Sequence, residues 1–303
     1  MNGIINVLKP SNMTSHDIVG FMRRITRIKK IGHTGTLDPN ASGVLPICIG
    51  KATRISEYFN REEIRKTYRA KLKFGYTTTT EDRYGEKIET SKVRKVSTDE
   101  IYNVFKKYTG EIEQIPPMYS AKKIGGKRLY ELAREGIDIE RKKRKVNIYS
   151  LSLVSNNSDG FLFDIECSSG TYIRTLCKDM GKEFGMSSHM SFLLRTKVGK
   201  FDIENSLTLD EIENLYMNDE LNEHIYKLDY PLDFMEEIEL REEYFKKILN
   251  GIKIPVKELC YNYDDKANYN DSDTLYRVYC KNQFIGIGRI KDKRLKMDKV
   301  LFI

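Results

Sequence analysis

The residue whose type and setting best suit chemistry is Asp38, in the segment GHTGTLDPNASGVLPICIGKATR at residues 32–54. Pro39 follows directly and biases Asp38 away from the helical region, so its carboxylate is presented from an extended or turn backbone. Such a carboxylate can act as a nucleophile or stabilise a sugar cation, as carboxylates do in glycosidases. Because Asp-Pro is also ordinary turn chemistry, the rest of the chain must decide between the two interpretations.

The elements around Asp38 must hold it in place. Four glycines and two prolines in this segment exclude a helix and predict turns followed by a short apolar strand at 44–49. Residues 1–10 predict a strand ended by Lys9-Pro10, and a helix follows that Thr14, Ser15 or Asp17 could cap. The end of this helix is basic, and both a solvated face and a nucleic-acid contact are consistent with it. Its basic residues are Arg23, Arg24, Arg27, Lys29 and Lys30.

The complete segment resembles the signature of the TruB family of tRNA pseudouridine synthases, in which G-H-T-G-x-L-D-P carries the catalytic aspartate. Further segments of the resemblance follow in order along the chain: Gly3, Lys9-Pro10, residues 13–15, residues 66–68, residues 114–123, residues 170–174, Arg195-Thr196 and Gly199. Chance does not account for so many ordered motifs, so the family indicates what chemistry Asp38 performs.

The resemblance implies that the chain isomerises uridine 55 in the T-arm of tRNA to pseudouridine. This reaction breaks a C–N glycosidic bond, turns the uracil and makes a C–C bond, with Asp38 as nucleophile or stabiliser of the sugar cation. Arg174, in the Gly-Thr-Tyr-Ile-Arg motif, is the implied partner that keeps Asp38 ionised in a pocket that excludes water. Tyr68 offers a flat face to the uracil and is implicated in proton transfer in the family. These three are the implied catalytic residues.

The same resemblance implies substrate-binding roles for His33, Tyr172 and Leu193, in addition to Tyr68. Tyr172 and Leu193 would line the uracil pocket. His33 would contact the displaced nucleotide and occupy the gap that it leaves, because a uridine inside a stacked loop must be flipped out to be reached. For an isolated His or Tyr the alternative is core packing, but the placement of these residues in family motifs favours the substrate roles.

No cofactor is implied, since the sequence contains no Walker loop, dinucleotide fingerprint or metal-ligand cluster and the isomerisation is redox-neutral. The five cysteines form no C-x-x-C, which argues against zinc and against a disulfide framework. Two other functions stay open. An RNA-binding protein or tRNA chaperone without activity would not need the three catalytic residues together, and a glycosidase would need a second carboxylate, which these motifs lack.

The charge distribution predicts a nucleic-acid partner. The net charge is +8, with about −7 on residues 201–303 and about +15 on residues 1–200. The resemblance implies that an insertion at about residues 115–147 is an arm that clamps the RNA stem-loop, although the basic run at 141–145 could also be merely solvated. The expected RNA-binding residues are Lys122, Lys123, Lys127, Arg128, Arg141, Lys142, Lys143, Arg144 and Lys145.

Periodicity and turn residues predict the remaining elements. Helices are expected at 56–65, 98–108 (opened by Thr98 or Asp99), 127–135, 171–184 and 209–216, and strands at 66–75, 146–154 and 160–167, with a polar loop of no assigned role at 77–85. Near the C-terminus, strands at 275–280, 283–289 and 300–303, a helix at 241–250 and a polar loop at 261–274 are expected.

These elements predict an α+β fold, and the resemblance adds that it is the pseudouridine-synthase fold, built on a central antiparallel or mixed sheet. A catalytic domain at 1–234 is expected to precede a small PUA-like β domain at 235–303, for which a generic β-barrel without assigned function is the alternative. No apolar run is long enough for a membrane span and no signal-peptide pattern is present. A cytoplasmic protein, a monomer that requires no protein partner, is therefore expected, with tRNA as its ligand.

Overall fold

The computed structural model describes residues 1–120, 122–259 and 274–302. Its strands are β1 Gly3–Lys9, β2 Ile31–His33, β3 Ser42–Ile49, β4 Lys66–Phe74, β5 Tyr76–Thr78, β6 Lys87–Thr90, β7 Gly110–Gln114, β8 Lys123–Ile124, β9 Lys127–Arg128, β10 Arg144–Asn157, β11 Gly160–Cys167, β12 Ser188–Val198, β13 Phe201–Asp202, β14 Glu236–Glu239, β15 Ile254–Pro255, β16 Leu275–Cys280, β17 Gln283–Lys291 and β18 Arg294–Val300. Its α-helices are α1 Ser15–Thr26, α2 Thr98–Tyr108, α3 Leu129–Arg134, α4 Ile173–Glu183, α5 Leu209–Met217 and α6 Phe245–Leu249.

The large sheet is mixed, as expected. Its main order is β1-β3-β12-β4-β11-β10-β7, with β2 paired to β3 and β13 paired to β12. The described neighbours are antiparallel except β3 and β12, which run parallel where Arg195 faces Gly43. A side-chain carbon at Gly43 would lie 2.1 Å from the Arg195 carbonyl oxygen, and Gly43 has φ +122°, so only glycine lets these two strands approach so closely.

Apolar periodicity explains how the helices cover this sheet. Strand β4 alternates buried and half-buried residues along its whole length, which confirms the half-buried strand expected there. On one face, α2 and α4 pack on β4 and β11 through buried side chains that include Phe105, Leu176 and Phe163. A separate core joins α1 and α5 to β1, β2 and β3. The central strands that carry Tyr68 and Leu193 are therefore held by the first of these cores, on one face of the sheet.

The C-terminal strands form a second sheet of order β14-β16-β17-β18-β15. It has a core of its own, which includes Ile248, Val278 and Leu295. A further apolar cluster joins residues of this sheet, among them Leu275 and Ile287, to side chains around β1 and β3. The expected α+β architecture with a small C-terminal β unit is confirmed.

Several expected boundaries are wrong. The helix expected at 56–65 is a 3-10 helix, Gly50–Asn60, which starts directly after β3. Its buried residues recur at about every third position, which matches the three residues per turn of a 3-10 helix. The last strand is β18, Arg294–Val300, and not 300–303, and residue 303 is outside the described residues. The helix expected at 241–250 divides into a 3-10 turn, Glu242–Tyr244, and α6, and the loop expected at 261–274 falls almost entirely outside the described residues.

Of the starts of α1, α2 and α3, two differ from the expected ones. Thr14 caps α1 through a reciprocal capping box with Asp17, which agrees with one of the three expected caps. Helix α2 is capped by Ser97 and not by Thr98 or Asp99. Helix α3 starts at Leu129 and not at residue 127, because Lys127 and Arg128 pair with β8 in a hairpin.

Candidate active site

Asp38 lies in the connection between β2 and β3, which folds as a tight turn. The backbone N–H of Ala41 donates to the Asp38 carbonyl at 3.1 Å, and both the N–H and the hydroxyl of Thr34 donate to the Pro46 carbonyl, at 3.2 and 3.1 Å. The Asp38 side chain is 33% exposed, so its carboxylate opens to solvent although the loop beneath it is fixed.

The N-terminal motif holds this loop from below. The Ser15 hydroxyl, at the first position of α1, donates to the Leu37 carbonyl at 3.2 Å and accepts from the Leu37 N–H at 2.9 Å. The fully buried Lys9 ammonium donates to the carbonyls of Pro10, Met13 and Pro39, at 2.7, 2.6 and 3.1 Å. Lys9 and Ser15 therefore fix the backbone of Pro39 and Leu37, on both sides of Asp38.

Arg174 forms a two-point ion pair with Asp38. Its Nε donates to Oδ2 at 2.8 Å and its Nη2 approaches Oδ1 at 3.3 Å. Nη1 and Nη2 also donate to the carbonyls of Thr80 and Tyr119, at 2.7 and 2.9 Å, and only 5% of the residue is exposed. The guanidinium is therefore clamped in one orientation, and it brings Asp38 against the start of α4.

Two carboxylates beside Arg174 were not predicted from the sequence, since the loop at 77–85 had no assigned role. Glu81 is buried and accepts from the Thr175 hydroxyl at 2.6 Å and from the Lys178 ammonium at 2.8 Å. Asp82 accepts from the Thr80 hydroxyl and the Tyr84 N–H, at 2.6 and 2.9 Å. Burial acts to lower the pKa of Arg174, but Asp38, Asp82 and Glu81 outweigh it and raise the pKa. Two adjacent acids after a run of threonines were the only sequence signal.

Tyr68 and Leu193 lie in one buried cluster with Leu37 and Ala41, beside the Asp38 loop. Tyr68 faces Arg195 across the β4–β12 ladder, and Leu193 faces Ala70. Burial raises the pKa of Tyr68 to about 12, with the Arg195 guanidinium acting in the opposite direction. The structure therefore brings Asp38, Arg174, Tyr68 and Leu193 into one region of the molecule.

Tyr172 and His33 flank this region. Tyr172 precedes α4, and Gln114 fixes its backbone by accepting from the N–H at 2.8 Å and donating to the carbonyl at 3.0 Å. His33 ends β2, its Nδ1 is buried without a hydrogen-bond partner among the described residues, and its pKa is lowered first by burial and then by Arg195. Gly170, which opens the Gly-Thr-Tyr-Ile-Arg motif, has φ +85°, and a side-chain carbon there would lie 1.7 Å from Nη2 of Arg144.

The basic arm is more neutralised than its sequence indicates. Lys143 and Lys145 pair with Glu113 and Glu111, at 3.2 and 2.8 Å, across the β7–β10 ladder, and Arg141 pairs with Asp138 at 3.3 Å. Lys127 approaches Glu135 at 3.8 Å. The other expected RNA-binding residues lie in or next to the strands of the arm: Lys122 before β8, Lys123 in β8, Arg128 in β9, Lys142 before β10 and Arg144 in β10. The guanidinium of Arg128 donates to the Tyr130 hydroxyl, and that of Arg144 lies 5.9 Å from the centre of the Tyr172 ring.

The basic end of α1 carries unpaired charge. Arg23, Arg27 and Lys29 are exposed, and they line a concavity of about 280 Å³ together with Ile28. Within the described ranges no carboxylate pairs with them or with Arg24 and Lys30. This surface, called here the α1 basic end, therefore presents its charge to solvent.

Two wider features bound the chemistry. In the part of the chain that the structure describes, no group of three or more His, Cys, Asp or Glu side chains is arranged to hold a metal ion. None of the described helices is both long and apolar enough to cross a bilayer.

Comparison with known families and proteins gives matches along nearly the whole chain. Residues 23–173 match the model of the TruB family pseudouridylate synthase N-terminal domain, residues 174–238 match the tRNA pseudouridylate synthase B C-terminal domain, and residues 237–301 match the C-terminal model of pseudouridine synthase II TruB. The tRNA pseudouridine synthase B of Clostridium tetani is 46% identical over 302 residues, which cover 99% of this chain and 100% of that protein. The Staphylococcus saprophyticus protein of the same name is 47% identical over 281 residues, which cover 90% of this chain and 92% of that protein.

Solved structures share the fold. The crystal structure of a Cbf5-Nop10-Gar1 complex contains a chain that superposes with a TM-score of 0.74 at 23% identity, over 99% of this chain and 85% of that chain. An H/ACA RNP bound to a substrate RNA containing 2′-deoxyuridine gives a TM-score of 0.75 at 21% identity, with the same coverage.

Proposed function

This chain belongs to the TruB family of pseudouridylate synthases, which are isomerases, and we propose that it converts uridine 55 in the T-arm of tRNA to pseudouridine. The observation that carries the proposal is the two-point pair between Arg174 and the partly open carboxylate of Asp38. Relatives named tRNA pseudouridine synthase B at 41–47% identity over 90–100% of the chain support tRNA as the substrate.

In the proposed reaction the bond between ribose C1′ and uracil N1 breaks, the uracil turns, and a bond forms between C1′ and uracil C5. The C5 proton is then lost and N1 gains one, so the atoms balance without a cofactor. Asp38 donates electron density to C1′, either by covalent attack or by stabilising the sugar cation. Arg174 keeps the carboxylate ionised and oriented, because two carbonyls also hold the guanidinium in place.

The neighbouring side chains suit a flipped uracil. We assign Tyr68 as a stacking surface and Leu193 and Tyr172 as further walls of the pocket, with Tyr68 also taking part in proton transfer. His33 lies on the approach to Asp38, and its unpartnered Nδ1 suits contact with the nucleotide that leaves the stacked loop. Each of these roles follows from the family motif together with the location of the residue.

We propose that two basic surfaces hold the RNA. The arm at residues 115–147 offers Lys122, Lys142 and Arg144 in addition to its paired cations. The α1 basic end is the stronger candidate for phosphate contact, because its cations need not leave a carboxylate to bind one. The helix α1 is about 18 Å long and its first residue supports the Asp38 loop, so this surface suits a backbone some distance from the flipped nucleotide.

The broader expectations remain part of the proposal. The chain would divide into a catalytic domain at 1–234 and a PUA-like β domain at 235–303, act as a monomer without a required protein partner, and work in the cytoplasm without a cofactor. A tRNA chaperone without activity has no need of an Asp38–Arg174 pair. A glycosidase needs a second carboxylate as acid, and Glu81 and Asp82 are both already engaged by neighbouring donors.

The deciding experiment uses the purified protein with transcribed tRNA and with a T-arm stem-loop. The product RNA is digested to nucleosides, and a nucleoside of unchanged mass with a C–C linkage at position 55 is expected. Asp38→Asn is the matched control, since it nearly preserves the shape of the side chain but removes its charge and one of the two oxygens that accept from Arg174. A released uracil base would indicate a glycosidase, and binding without any product from the unsubstituted protein would indicate a chaperone.

A further inference from the structure

Besides Arg174, three cations are buried around the Asp38 loop, and one of them is held by backbone carbonyls. Lys9 donates to three carbonyls. Lys66 is 7% exposed, and its ammonium takes part in none of the side-chain hydrogen bonds and ion pairs of the described residues. Arg195 is 1% exposed; its Nε donates to the Val44 carbonyl at 2.7 Å, but its Nη2 has no partner within the described ranges.

Lys66 and Arg195 both border the proposed uracil site. Lys66 and Tyr68 point to the same buried face of β4, and Arg195 lies directly opposite Tyr68 on β12. A side-chain carbon at Gly35 would lie 3.5 Å from Nζ of Lys66, so the ammonium faces the loop that leads to Asp38. The two cations therefore lie between the strand that carries Tyr68 and the loop that carries Asp38.

This arrangement is electrostatically unfavourable. Burial, and then repulsion from Arg195, lower the pKa of Lys66 to about 8, and burial and Arg195 do the same to Lys9. A buried charge without a partner costs stability, and such sites persist where function requires them. A negative charge placed beside Lys66 and Arg195 would offset this cost.

Arg174 is committed to the carboxylate. Four of its five N–H groups donate to Asp38 and to the carbonyls of Thr80 and Tyr119, which fix its orientation. Nη2 of Arg195 is buried without a hydrogen-bond partner among the described residues, and Lys66 is buried beside it. The site thus contains one cation held on the carboxylate and two further cations on the Tyr68 side.

We propose that Lys66 and Arg195 stabilise the negative charge that the uracil acquires while the glycosidic bond is broken; this assignment rests on the proposed function. When C1′–N1 breaks, its electron pair stays on N1 and spreads to O2 and O4, while Asp38 supplies electron density to C1′. The charge returns to neutral when C5 bonds to C1′, loses its proton, and N1 is protonated. Cations fixed before the reaction stabilise such a charge most effectively, because they need not reorganise.

The test is Lys66→Met, with Lys66→Arg as the variant that should restore the rate. Lys73→Met is the control, because Lys73 lies on the same strand but its side chain is 41% exposed and pairs with Asp159 at 3.2 Å. The melting temperature of Lys66→Met should equal or exceed that of the unsubstituted protein, since an unpartnered buried charge is removed. Its single-turnover rate on tRNA should fall about 100-fold or more, with Kd unchanged. Lys66→Arg should recover most of the rate, and Lys73→Met should show no change.

A second substrate separates charge stabilisation from a structural role. Fluorine at C5 stabilises the uracil anion. The rate loss that Lys66→Met causes should therefore be at least tenfold smaller for cleavage of the N-glycosidic bond of 5-fluorouridine in tRNA than for conversion of uridine. The kinetic isotope effect of deuterium at C5 on the conversion of uridine should be no larger in Lys66→Met than in the unsubstituted protein.

Equal slowing of both substrates would overturn the proposal, as would a new C5 isotope effect, which would assign Lys66 to proton removal. A weakened Kd with an intact rate would also overturn it and make Lys66 a phosphate contact. If the unsubstituted protein makes no pseudouridine, the proposed function fails first, and that failure is seen before any variant is compared.

Discussion

Arg174→Met tests whether the ion pair with Asp38 serves catalysis. Arg174 donates to both Asp38 oxygens and to two backbone carbonyls, so methionine, which replaces only the aliphatic part of the side chain, leaves one carboxylate and two carbonyls without this donor. Loss of one partner of a buried pair costs about 3–5 kcal/mol, and each unpaired carbonyl costs about 1–3 kcal/mol. Because a third of the Asp38 side chain is open to water, part of this cost is recovered by hydration.

We therefore expect the free energy of unfolding to fall by about 3 kcal/mol. Turnover should fall by about 10³-fold, as when one fixed electrostatic group is removed from an active site. The assay is single-turnover release of tritium from C5 of uridine 55 in transcribed tRNA, with Kd measured by filter binding and stability by denaturant unfolding. The RNA affinity should change much less than the rate.

Arg69→Met is the matched control. Arg69 makes the same two-point contact with Asp164, at 2.7 and 2.8 Å, on the same sheet, but its side chain is 44% exposed. Its loss should cost less than about 1 kcal/mol and leave turnover unchanged. If Arg174→Met kept its rate and lost only RNA affinity, Arg174 would be a phosphate contact and the reasoning would be refuted.

Three further predictions concern charge. Asp38→Asn should keep the fold and RNA binding but give no pseudouridine, because the amide is nearly isosteric and not nucleophilic; turnover above background in a clean preparation would remove Asp38 from its role. Replacing Arg23, Arg27 and Lys29 together by Gln should reduce the slope of log K for tRNA against log salt by about three units. Replacing Arg141, Lys143 and Lys145 by Gln should reduce the slope by less, since carboxylates already neutralise these three cations. Equal reductions would contradict the argument that these cations are paired. The stability advantage of Lys66→Met over the unsubstituted protein should shrink as the pH rises from 8 towards 10.5, because the folded protein releases the Lys66 proton before the unfolded chain does. In the same window, turnover should fall in the unsubstituted protein more than in Lys66→Arg; a pH-independent stability advantage would show that the pKa of Lys66 is the same in the folded and unfolded states.

The sequence supported strong predictions where the controlling interaction is local or is part of a motif. Alternating residues place Tyr68 on the buried face of β4 because strand side chains repeat every two residues. The family motifs brought Asp38 and Arg174 into consideration together, and the structure has them in contact. The sequence could not show which distant strand lies next to a given segment.

The basic run at 141–145 illustrates this limit. Taken alone it is a dense positive surface, but β7 brings Glu111 and Glu113 alongside it through antiparallel pairing. The helix expected at 56–65 failed for a related reason, since the buried residues of Gly50–Asn60 pack in a core with side chains of β1, β3 and the C-terminal sheet, which are distant in sequence. The carboxylates of Glu81 and Asp82 were missed because only the fold brings that loop against Arg174.

The C-terminal sheet shows how the structure changes an experiment. Deletion of residues from about 236 onward would test whether this part binds RNA, but its Leu275, Ile287 and Leu301 share a core with side chains around β1 and β3. Across the same junction the Tyr58 hydroxyl donates to Asp298 at 2.7 Å and Lys299 pairs with Glu57 at 2.9 Å. A truncated chain is therefore expected to lose cooperative unfolding, and its inactivity would say nothing about RNA.

Surface substitution avoids this problem. Lys291, Lys293 and Lys296 are exposed on the β17–β18 hairpin, and no ion pair across the junction involves them within the described residues. Replacing all three by Gln should leave the melting temperature unchanged, raise KM for full-length tRNA several-fold and leave kcat intact, because lost phosphate contacts weaken binding without touching the reacting atoms. A minimal T-arm stem-loop should be converted at the same rate as before. If KM rose equally for both substrates, this hairpin would contact the T-arm itself; if neither changed, the C-terminal sheet would serve to support the core it shares with β3.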